Sequence, residues 1–132
     1  MAQETEEGKA SLAGRGNANR KKGAFWEQQA AEYLEKKGYR ILGRNFYSCY
    51  GEIDIIAGQG RYLVFVEVKY RREGASTHPL ESVSKAKQRR ICRTAAYYCL
   101  RHKYPEDTPC RFDMIGILGG EFIHLEDAFA YL

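Results

Sequence analysis

The chain has 132 residues and a formal net charge of +4, which suits a single domain with a mild basic excess. No apolar run approaches the roughly 18 residues that would cross a bilayer as a helix. The residues after Met1 are Ala-Gln-Glu-Thr-Glu-Glu, where a secretory signal would be basic and then apolar. The four cysteines form no Cys-x-x-Cys pair, which favours reduced thiols. We therefore expect a cytoplasmic protein without a membrane segment.

Residues 1–22 differ in composition from the rest of the chain. Leu12 is the only large apolar residue there after Met1. Such a segment cannot bury enough surface to offset its ordering entropy, so we predict a disordered tail. The predicted folded domain is residues 23–132.

Two helices and five strands are predicted in this domain. Apolar spacing predicts a first helix from Gly23 to Lys37, and Ser82 or Ser84 could cap a second helix that runs to about Lys103. Runs of β-type residues between turn signals predict strands at Tyr39–Asn45, Glu52–Ala57, Tyr62–Tyr70, Arg111–Leu118 and Glu121–Leu125. Residues 127–132 are expected to form a short terminal element that could be helical.

The order of these elements predicts an α/β domain with a central mixed β-sheet flanked by helices. The first three strands are expected to form a meander. The second helix is then expected to cross over to reach the fourth strand.

Two of the predicted strands carry acids and a lysine among apolar residues. Asp54 lies in the run Gly51 to Ile56, and Glu67 and Lys69 lie in the run Val64 to Arg71. Glu67 and Lys69 are two residues apart, so they share one face of a strand. Charges inside such runs are costly unless they are paired or bound to a metal, although an exposed sheet face with cross-strand ion pairs is the alternative. The pattern indicates a divalent-metal site with a helper lysine.

The oxygen donors of this pattern suit Mg2+, with Mn2+ as a substitute. Magnesium keeps several waters, so one or two carboxylates suffice, and Asp54 and Glu67 are the candidate ligands. The carbonyl of Val68 is a candidate third ligand. Lys69 could orient an attacking water, offset charge in the transition state or act as a base, and the sequence leaves these roles open.

Basic residues are concentrated in the predicted second helix and directly after the third strand. Lys87 and Arg90 are three residues apart on the helix and share a face, so they could grip a phosphate. Arg71 and Arg72 follow the strand that carries Glu67 and could contact a nucleic-acid backbone. An ordinary solvated helix face is the alternative interpretation of the helical cluster.

Three motifs together resemble a known family. Gly-Glu-Ile-Asp-Ile-Ile (51–56), Val-Phe-Val-Glu-Val-Lys-Tyr-Arg (64–71) and Arg-Phe-Asp (111–113) are similar to those of the YraN family of small bacterial proteins. That family is similar to archaeal Holliday-junction resolvases within the restriction-endonuclease-like superfamily. The resemblance extends from about Gly23 to Phe129 and implies a single restriction-endonuclease-like domain.

The resemblance also implies a site. In that superfamily an acid followed by Glu-x-Lys forms a magnesium-dependent phosphodiesterase centre. Carried over, Asp54 and Glu67 become metal ligands and Lys69 the catalytic lysine. Glu27 resembles the first-helix glutamate that completes many such sites, although a first-turn acid that complements the helix dipole is the alternative. Where the superfamily often has Pro before the first acid, this chain has Ile53.

The implied function is Mg2+-dependent endonuclease cleavage of structured or branched DNA, in the context of DNA repair or recombination. Resolvases act as dimers, so a homodimer is expected by analogy. Two other hypotheses stay open. One is a nucleic-acid-binding protein that keeps the fold but does not cut, and the other is a small domain whose charged strand is surface and whose partner is a protein.

Overall fold

The computed structural model describes residues 17–74 and 83–130, with side chains described from Gly23 onward. Within these ranges the chain forms two helices and five strands. They are α1 (Asn17–Lys36), β1 (Arg40–Ser48), β2 (Gly51–Gln59), β3 (Tyr62–Arg71), α2 (Lys85–Arg101), β4 (Cys110–Leu118) and β5 (Glu121–Phe129). All five predicted strands and both predicted helices are present. No helix in the described ranges is long and apolar enough to span a membrane.

The five strands form one mixed sheet in the order β1-β2-β3-β4-β5. All neighbouring strands are antiparallel except β3 and β4, which are parallel. Parallel neighbours need a crossover connection, and the one between β3 and β4 contains α2. The predicted α/β domain with a central mixed sheet, an initial meander and a crossover helix is therefore confirmed, and it is consistent with a nuclease-like fold.

The first helix starts earlier than predicted. It begins at Asn17, not at Gly23, so residues 17–22 of the predicted disordered tail are helical. Alanine, arginine and lysine in this stretch are good helix formers, and one interior glycine costs only about 1 kcal/mol, so the helix can continue through Gly23. The rest of the predicted tail, residues 1–16, lies outside the described residues.

The second helix has the side-chain cap that the sequence suggests. Ser84 Oγ accepts a hydrogen bond of 3.1 Å from the Lys87 amide, which satisfies one of the free N–H groups of the first turn. Of the two predicted caps, Ser84 is therefore confirmed, whereas Ser82 lies outside the described residues. The helix ends at Arg101, slightly before the predicted end at Lys103.

Each face of the sheet is covered by one helix. Ala30, Ala31 and Leu34 of α1 pack on one face, against a cluster that includes Ile55, Val64, Val66, Ile115 and Ile117. Ile91, Cys92, Ala95 and Tyr98 of α2 pack on the other face, against a cluster that includes Ile53, Ile56, Phe65 and Phe112. Burial on both faces explains why the central strands read as nearly continuous apolar runs.

The prediction of a separate terminal element at residues 127–132 is wrong for residues 127–129, because β5 continues to Phe129, and residues 131–132 lie outside the described residues. The strand passes a bulge at Asp127, which has a φ of 54°. Beyond the bulge, Phe129 pairs with Phe112 of β4, and their rings stack at a centroid distance of 5.1 Å. This aromatic contact holds the end of β5 in the sheet.

A buried polar network ties β4 to β5. The side chain of Asp113 is fully buried. Its carboxylate accepts two hydrogen bonds of 2.9 Å from Arg111 and one of 3.0 Å from the Asp127 amide. His124 Nε2 lies 2.8 Å from the same carboxylate, and Lys37 Nζ lies 2.6 Å from His124 Nδ1. Asp113 of the Arg-Phe-Asp motif is therefore a structural acid.

Candidate metal centre and nucleic-acid interface

Asp54 lies where β2 and β3 separate. The paired register of the two strands starts at Ile55↔Val66, and Asp54 is the next residue outward on β2. Its Oδ2 accepts a hydrogen bond of 2.8 Å from the Val68 amide of β3. The carboxylate thus replaces a main-chain partner for β3 at the point where the ladder ends. This contact holds Asp54 next to the strand that carries Glu67 and Lys69.

Asp54 lies in a concentration of negative charge. Its side chain is buried, and burial is the largest cause that raises its pKa well above the usual value. The nearby carboxylates of Glu67, Glu27 and Glu52 raise the pKa further, and the hydrogen bond from Val68 opposes them. A buried carboxylate near three other acids is unfavourable as an anion unless a cation or a proton compensates it.

Glu67 is brought next to Asp54, as the sequence predicts, and it also meets a residue of α2. Glu67 Oε2 lies 2.7 Å from Lys87 Nζ. The Glu67 side chain is 11% exposed and that of Lys87 is 37% exposed, so the pair lies at the wall of a cleft. The cleft has a volume of about 210 Å3, and its lining includes Asp54, Glu67, Lys87 and Arg90.

Lys69 is half-buried on β3, two residues after Glu67 and opposite Gly116 of β4. It forms no ion pair with any residue that the structure describes, and it does not line the cleft. The structure therefore places Lys69 beside the two acids along the strand but does not bring its ammonium into contact with them. Its catalytic role stays a prediction.

Glu27 faces the site from α1. Because α1 begins at Asn17, Glu27 is an interior residue of the helix, and no acid lies in the first turn. The alternative interpretation of Glu27 as a first-turn acid is therefore wrong. Its charge acts on both Asp54 and Tyr47, which places it near the carboxylates of β2.

Strand β1 adds two polar residues that the sequence reading did not assign to the site. Tyr47 pairs in register with Glu52 and hydrogen-bonds to it. The pKa of the Tyr47 phenol is raised above its usual value. Burial is the largest cause, Glu52 is the next, and Glu27 and Asp54 add to it. Asn45 lies between the pairs Arg44↔Ile55 and Phe46↔Ile53, hence opposite Asp54. The sequence contains one signal for these two residues. Asn45 and Tyr47 alternate with the apolar Phe46, which is buried, so both lie on the face of β1 opposite to Phe46.

The carboxylates do not form a closed set of metal ligands as they stand. Within residues 17–74 and 83–130, no three His, Cys, Asp or Glu side chains are grouped closely enough to hold a metal ion. The predicted ligands Asp54, Glu67 and Glu27 are near one another, but Lys87 is the cation in contact with Glu67. The carbonyl of Val68 belongs to the peptide unit that follows the one bonded to Asp54.

The predicted phosphate-binding residues fall into two groups. Arg90 is exposed and lines the cleft together with Lys87. Arg71 ends β3, and its guanidinium donates to the Tyr70 carbonyl at 2.9 Å, while Arg72 is exposed just beyond it. The structure thus brings Lys87 and Arg90 to the carboxylates, whereas Arg71 and Arg72 lie outside the cleft lining.

Comparison with known proteins shows which family the chain belongs to. Residues 26–117 match the sequence model described as "Uncharacterised protein family UPF0102". The chain belongs to the UPF0102 family. It is 50% identical over 103 residues to a UPF0102 protein of Lachnoclostridium phytofermentans, which covers 78% of this chain and 87% of the relative. It is 46% identical over 102 residues to one of Marinobacter nauticus, covering 77% and 82%.

The resemblance to YraN proteins is confirmed by the same comparison. The chain is 42% identical over 108 residues to the UPF0102 protein YraN of Escherichia coli, covering 81% of this chain and 82% of the relative. The UPF0102 match includes every residue of the cleft and both strands that form it. The names of these relatives state no activity, so the relation to resolvases stays a prediction.

Proposed function

We propose that this UPF0102 protein is a Mg2+- or Mn2+-dependent endonuclease that hydrolyses phosphodiester bonds in structured or branched DNA. The observation that carries the proposal is the buried Asp54 carboxylate, held against β3 beside Glu67 and near Glu27. An ordinary core has no use for such an arrangement, because uncompensated buried charge is destabilising. A site that recruits a cation explains it.

The donor atoms are of the kind that a hard divalent cation prefers. Asp54 and Glu67 would supply carboxylate oxygens, with Glu27 and the Val68 carbonyl as further oxygen donors. Burial, and then the neighbouring carboxylates of Glu67 and Glu27, raise the pKa of Asp54, and a bound cation would oppose that shift. When bound, the cation would polarise the phosphoryl oxygen and lower the pKa of a bound water.

The protein's own residues supply orientation and charge. The Val68 amide fixes one oxygen of Asp54 and leaves Oδ1 for other contacts. Lys87 and Arg90 line the same cleft and provide cations for the phosphates on either side of the scissile bond. Lys69 follows Glu67 on the same strand face and would stabilise negative charge that develops on the attacked phosphate.

One contact favours the alternative, a nucleic-acid-binding protein with the nuclease fold but no turnover. The ammonium of Lys87 lies 2.7 Å from Glu67 and partly neutralises the acid that a metal would need. In that case the cleft would bind a phosphate backbone through its basic residues. It would not assemble a hydrolytic centre.

The deciding experiment compares cleavage of a four-way junction, a flap and a linear duplex, each with Mg2+, with Mn2+ and with chelator. We expect metal-dependent cleavage of a branched substrate that Glu67→Gln, Asp54→Asn and Lys69→Met abolish. Lys36→Ala and Glu121→Gln are matched controls, because they change exposed residues of the same types outside the cleft. Cleavage that survives the three site variants would belong to a contaminant.

Binding separates the two candidates if no cleavage is seen. Metal-independent binding of DNA by the intact protein and equally by Glu67→Gln would support the non-cutting alternative. Failure to bind any nucleic acid at moderate salt would exclude both candidate functions.

A further inference from the structure

A second, shallower depression lies beside the cleft, between the β1–β2 turn and α2. Its volume is about 370 Å3, and it is lined by Tyr50, Arg93, Ala96, Tyr97 and Leu100. Three of these residues are large hydrophobic residues whose side chains are exposed to solvent. Tyr50 is 42% exposed, Tyr97 is 38% exposed and Leu100 is 76% exposed. We call this depression the tyrosine platform.

The main chain of Tyr50 and the ring of Tyr97 are both held by neighbouring residues. The ring of Tyr97 rests against the buried Phe46, at a centroid distance of 6.1 Å. The Tyr50 amide donates to Ser48 Oγ at 3.0 Å, and Ser48 Oγ lies 3.3 Å from Thr94 Oγ1 of α2. The turn that carries Tyr50 is thereby fixed to the helix that carries Tyr97.

Gly51 lies where the turn approaches α2. Its φ of 151° is unfavourable for other residues, whereas a Cβ there would make only ordinary contacts, at 3.6 Å to Thr94 Oγ1 and 3.8 Å to Arg90 Cβ. Gly51 lines the acidic cleft, and its neighbour Tyr50 lines the platform. The two depressions therefore meet at this turn.

Basic residues bridge the two depressions along α2. Arg90 lines the cleft, and Arg93 lines the platform one helical turn later. Both are exposed, and neither forms an ion pair with a described residue. A polyanion that reaches the carboxylates past Arg90 would therefore continue over Arg93 towards the two tyrosines.

We propose that the tyrosine platform binds an unpaired base, with its phosphate held by Arg93 and Arg90, so that the protein recognises single-stranded nucleotides next to the cleft. This inference rests on the proposed function and names its substrate class more narrowly. Stacking on an aromatic ring accepts any base, because every base has a π-face. A base paired inside a duplex cannot present that face to the platform. Charge complementarity favours this occupant over an apolar protein segment, since Arg93 lies within the platform.

The test measures binding alone, in chelator, so that turnover plays no part. The probes are a fluorescein-labelled 12-nucleotide thymidine strand and a blunt duplex of the same length, read by fluorescence anisotropy. We expect tighter binding of the single strand, and a loss of about tenfold in that affinity for Tyr97→Ala and for Tyr50→Ala. Tyr97→Phe keeps the ring and should bind as the wild type does.

Two controls separate stacking from charge and from folding. Arg93→Gln should lower the slope of log K against log salt, whereas Tyr97→Ala should leave that slope unchanged. Tyr62→Ala removes a tyrosine of similar exposure that begins β3 and does not line the platform, so it should not alter binding. Melting temperatures of all variants show whether they are folded.

The outcomes distinguish this inference from the proposed function. Unchanged single-strand affinity in folded Tyr97→Ala and Tyr50→Ala, or a preference of the wild type for duplex, overturns the platform and leaves the nuclease proposal intact. Failure of the wild type to bind the single strand and the duplex overturns the platform, and the nuclease proposal is overturned as well only if a four-way junction and a flap also fail to bind.

Discussion

Lys87 Nζ lies 2.7 Å from Glu67 Oε2, so a cation of the second helix contacts an acid of the central strand. Lys87 is the third residue of α2, and its own amide is bonded to the cap Ser84. The start of the helix and the acid of β3 are thereby joined at the cleft. This ion pair and a divalent cation would compete for the same carboxylate.

Replacing Lys87 by Met should therefore change two affinities in opposite directions. Affinity for Mn2+ should rise by up to about fivefold, because an ion pair with a partly exposed lysine at the wall of a cleft is worth about 0.2–1 kcal/mol. Affinity for DNA should fall, because a phosphate contact is lost. Isothermal titration with Mn2+ and anisotropy with labelled DNA measure the two effects.

Lys85→Met is the matched control, since Lys85 is an exposed lysine of the same helix end that does not line the cleft. If Lys87→Met and Lys85→Met bind Mn2+ equally, Lys87 does not compete for Glu67.

Asp54→Asn should stabilise the metal-free protein at neutral pH. Because burial and the neighbouring acids raise the pKa of Asp54 in the folded state, that state binds a proton more tightly than the unfolded chain does. The free energy of unfolding therefore falls as the pH rises from about 4 through the folded pKa. Asparagine removes this penalty and keeps an oxygen to accept from Val68. Thermal melts in chelator from pH 4 to 8 measure the difference.

The gain should shrink towards pH 4, because the unfolded chain also begins to bind a proton at Asp54 there. Mg2+ at pH 8 should raise the melting temperature of the wild type and not that of Asp54→Asn. A variant that is less stable than the wild type at every pH would show that the Asp54 carboxylate is a net stabilising group without metal.

Asp113→Ala should be strongly destabilising. Burial would raise the pKa of Asp113, but hydrogen bonds from His124, Arg111 and the Asp127 amide hold it below the usual value. Removing the acid leaves the guanidinium of Arg111 without its ion-pair partner, which costs about 3–5 kcal/mol in the free energy of unfolding. Urea unfolding at pH 7 measures the loss.

The pH dependence of this contribution has the opposite sign to that of Asp54. Since the folded pKa is lowered, the stabilisation is present above the unfolded pKa of about 4 and is lost as the pH falls through the folded value. Asp107→Ala changes an exposed acid in the turn before β4 and should lie within about 0.5 kcal/mol of the wild type.

Arg90→Gln should weaken DNA binding in a salt-dependent manner. A guanidinium that neutralises one phosphate releases about one counterion, so the slope of log K against log salt should become shallower by about 0.9. Titrations between 50 and 200 mM salt measure it. Arg61→Gln, in the turn at the opposite end of the sheet, should leave the slope unchanged. Equal slopes for both variants would place the phosphate path elsewhere.

Local patterns were enough to predict the elements and the pair Asp54 and Glu67. The apolar runs of β2 and β3 give their strands, and the acids within them stand out because they are out of place there. The start of α1 was missed, since residues 17–22 have helix-forming but polar side chains that no apolar stripe marks. That error also produced the wrong first-turn interpretation of Glu27.

Contacts between distant segments could not be predicted from the sequence. The ion pair of Lys87 with Glu67 depends on how α2 lies over the sheet, and Tyr47 reaches the acids only through the register of β1 with β2. The end of β5 was missed for the same reason, because Phe129 is placed by stacking on Phe112.

The hydrogen bond from the Val68 amide to Asp54 constrains which substitutions the site can accept during evolution. That amide belongs to the peptide bond between Glu67 and Val68, so one acid of the pair anchors the main chain of the other. A substitution at Asp54 that removes this acceptor alters both the charge in the cleft and the direction in which β3 presents Glu67 and Lys69. The dependence therefore runs one way, because Glu67 can be exchanged without disturbing the hydrogen bond of Asp54, whereas loss of that hydrogen bond also affects Glu67.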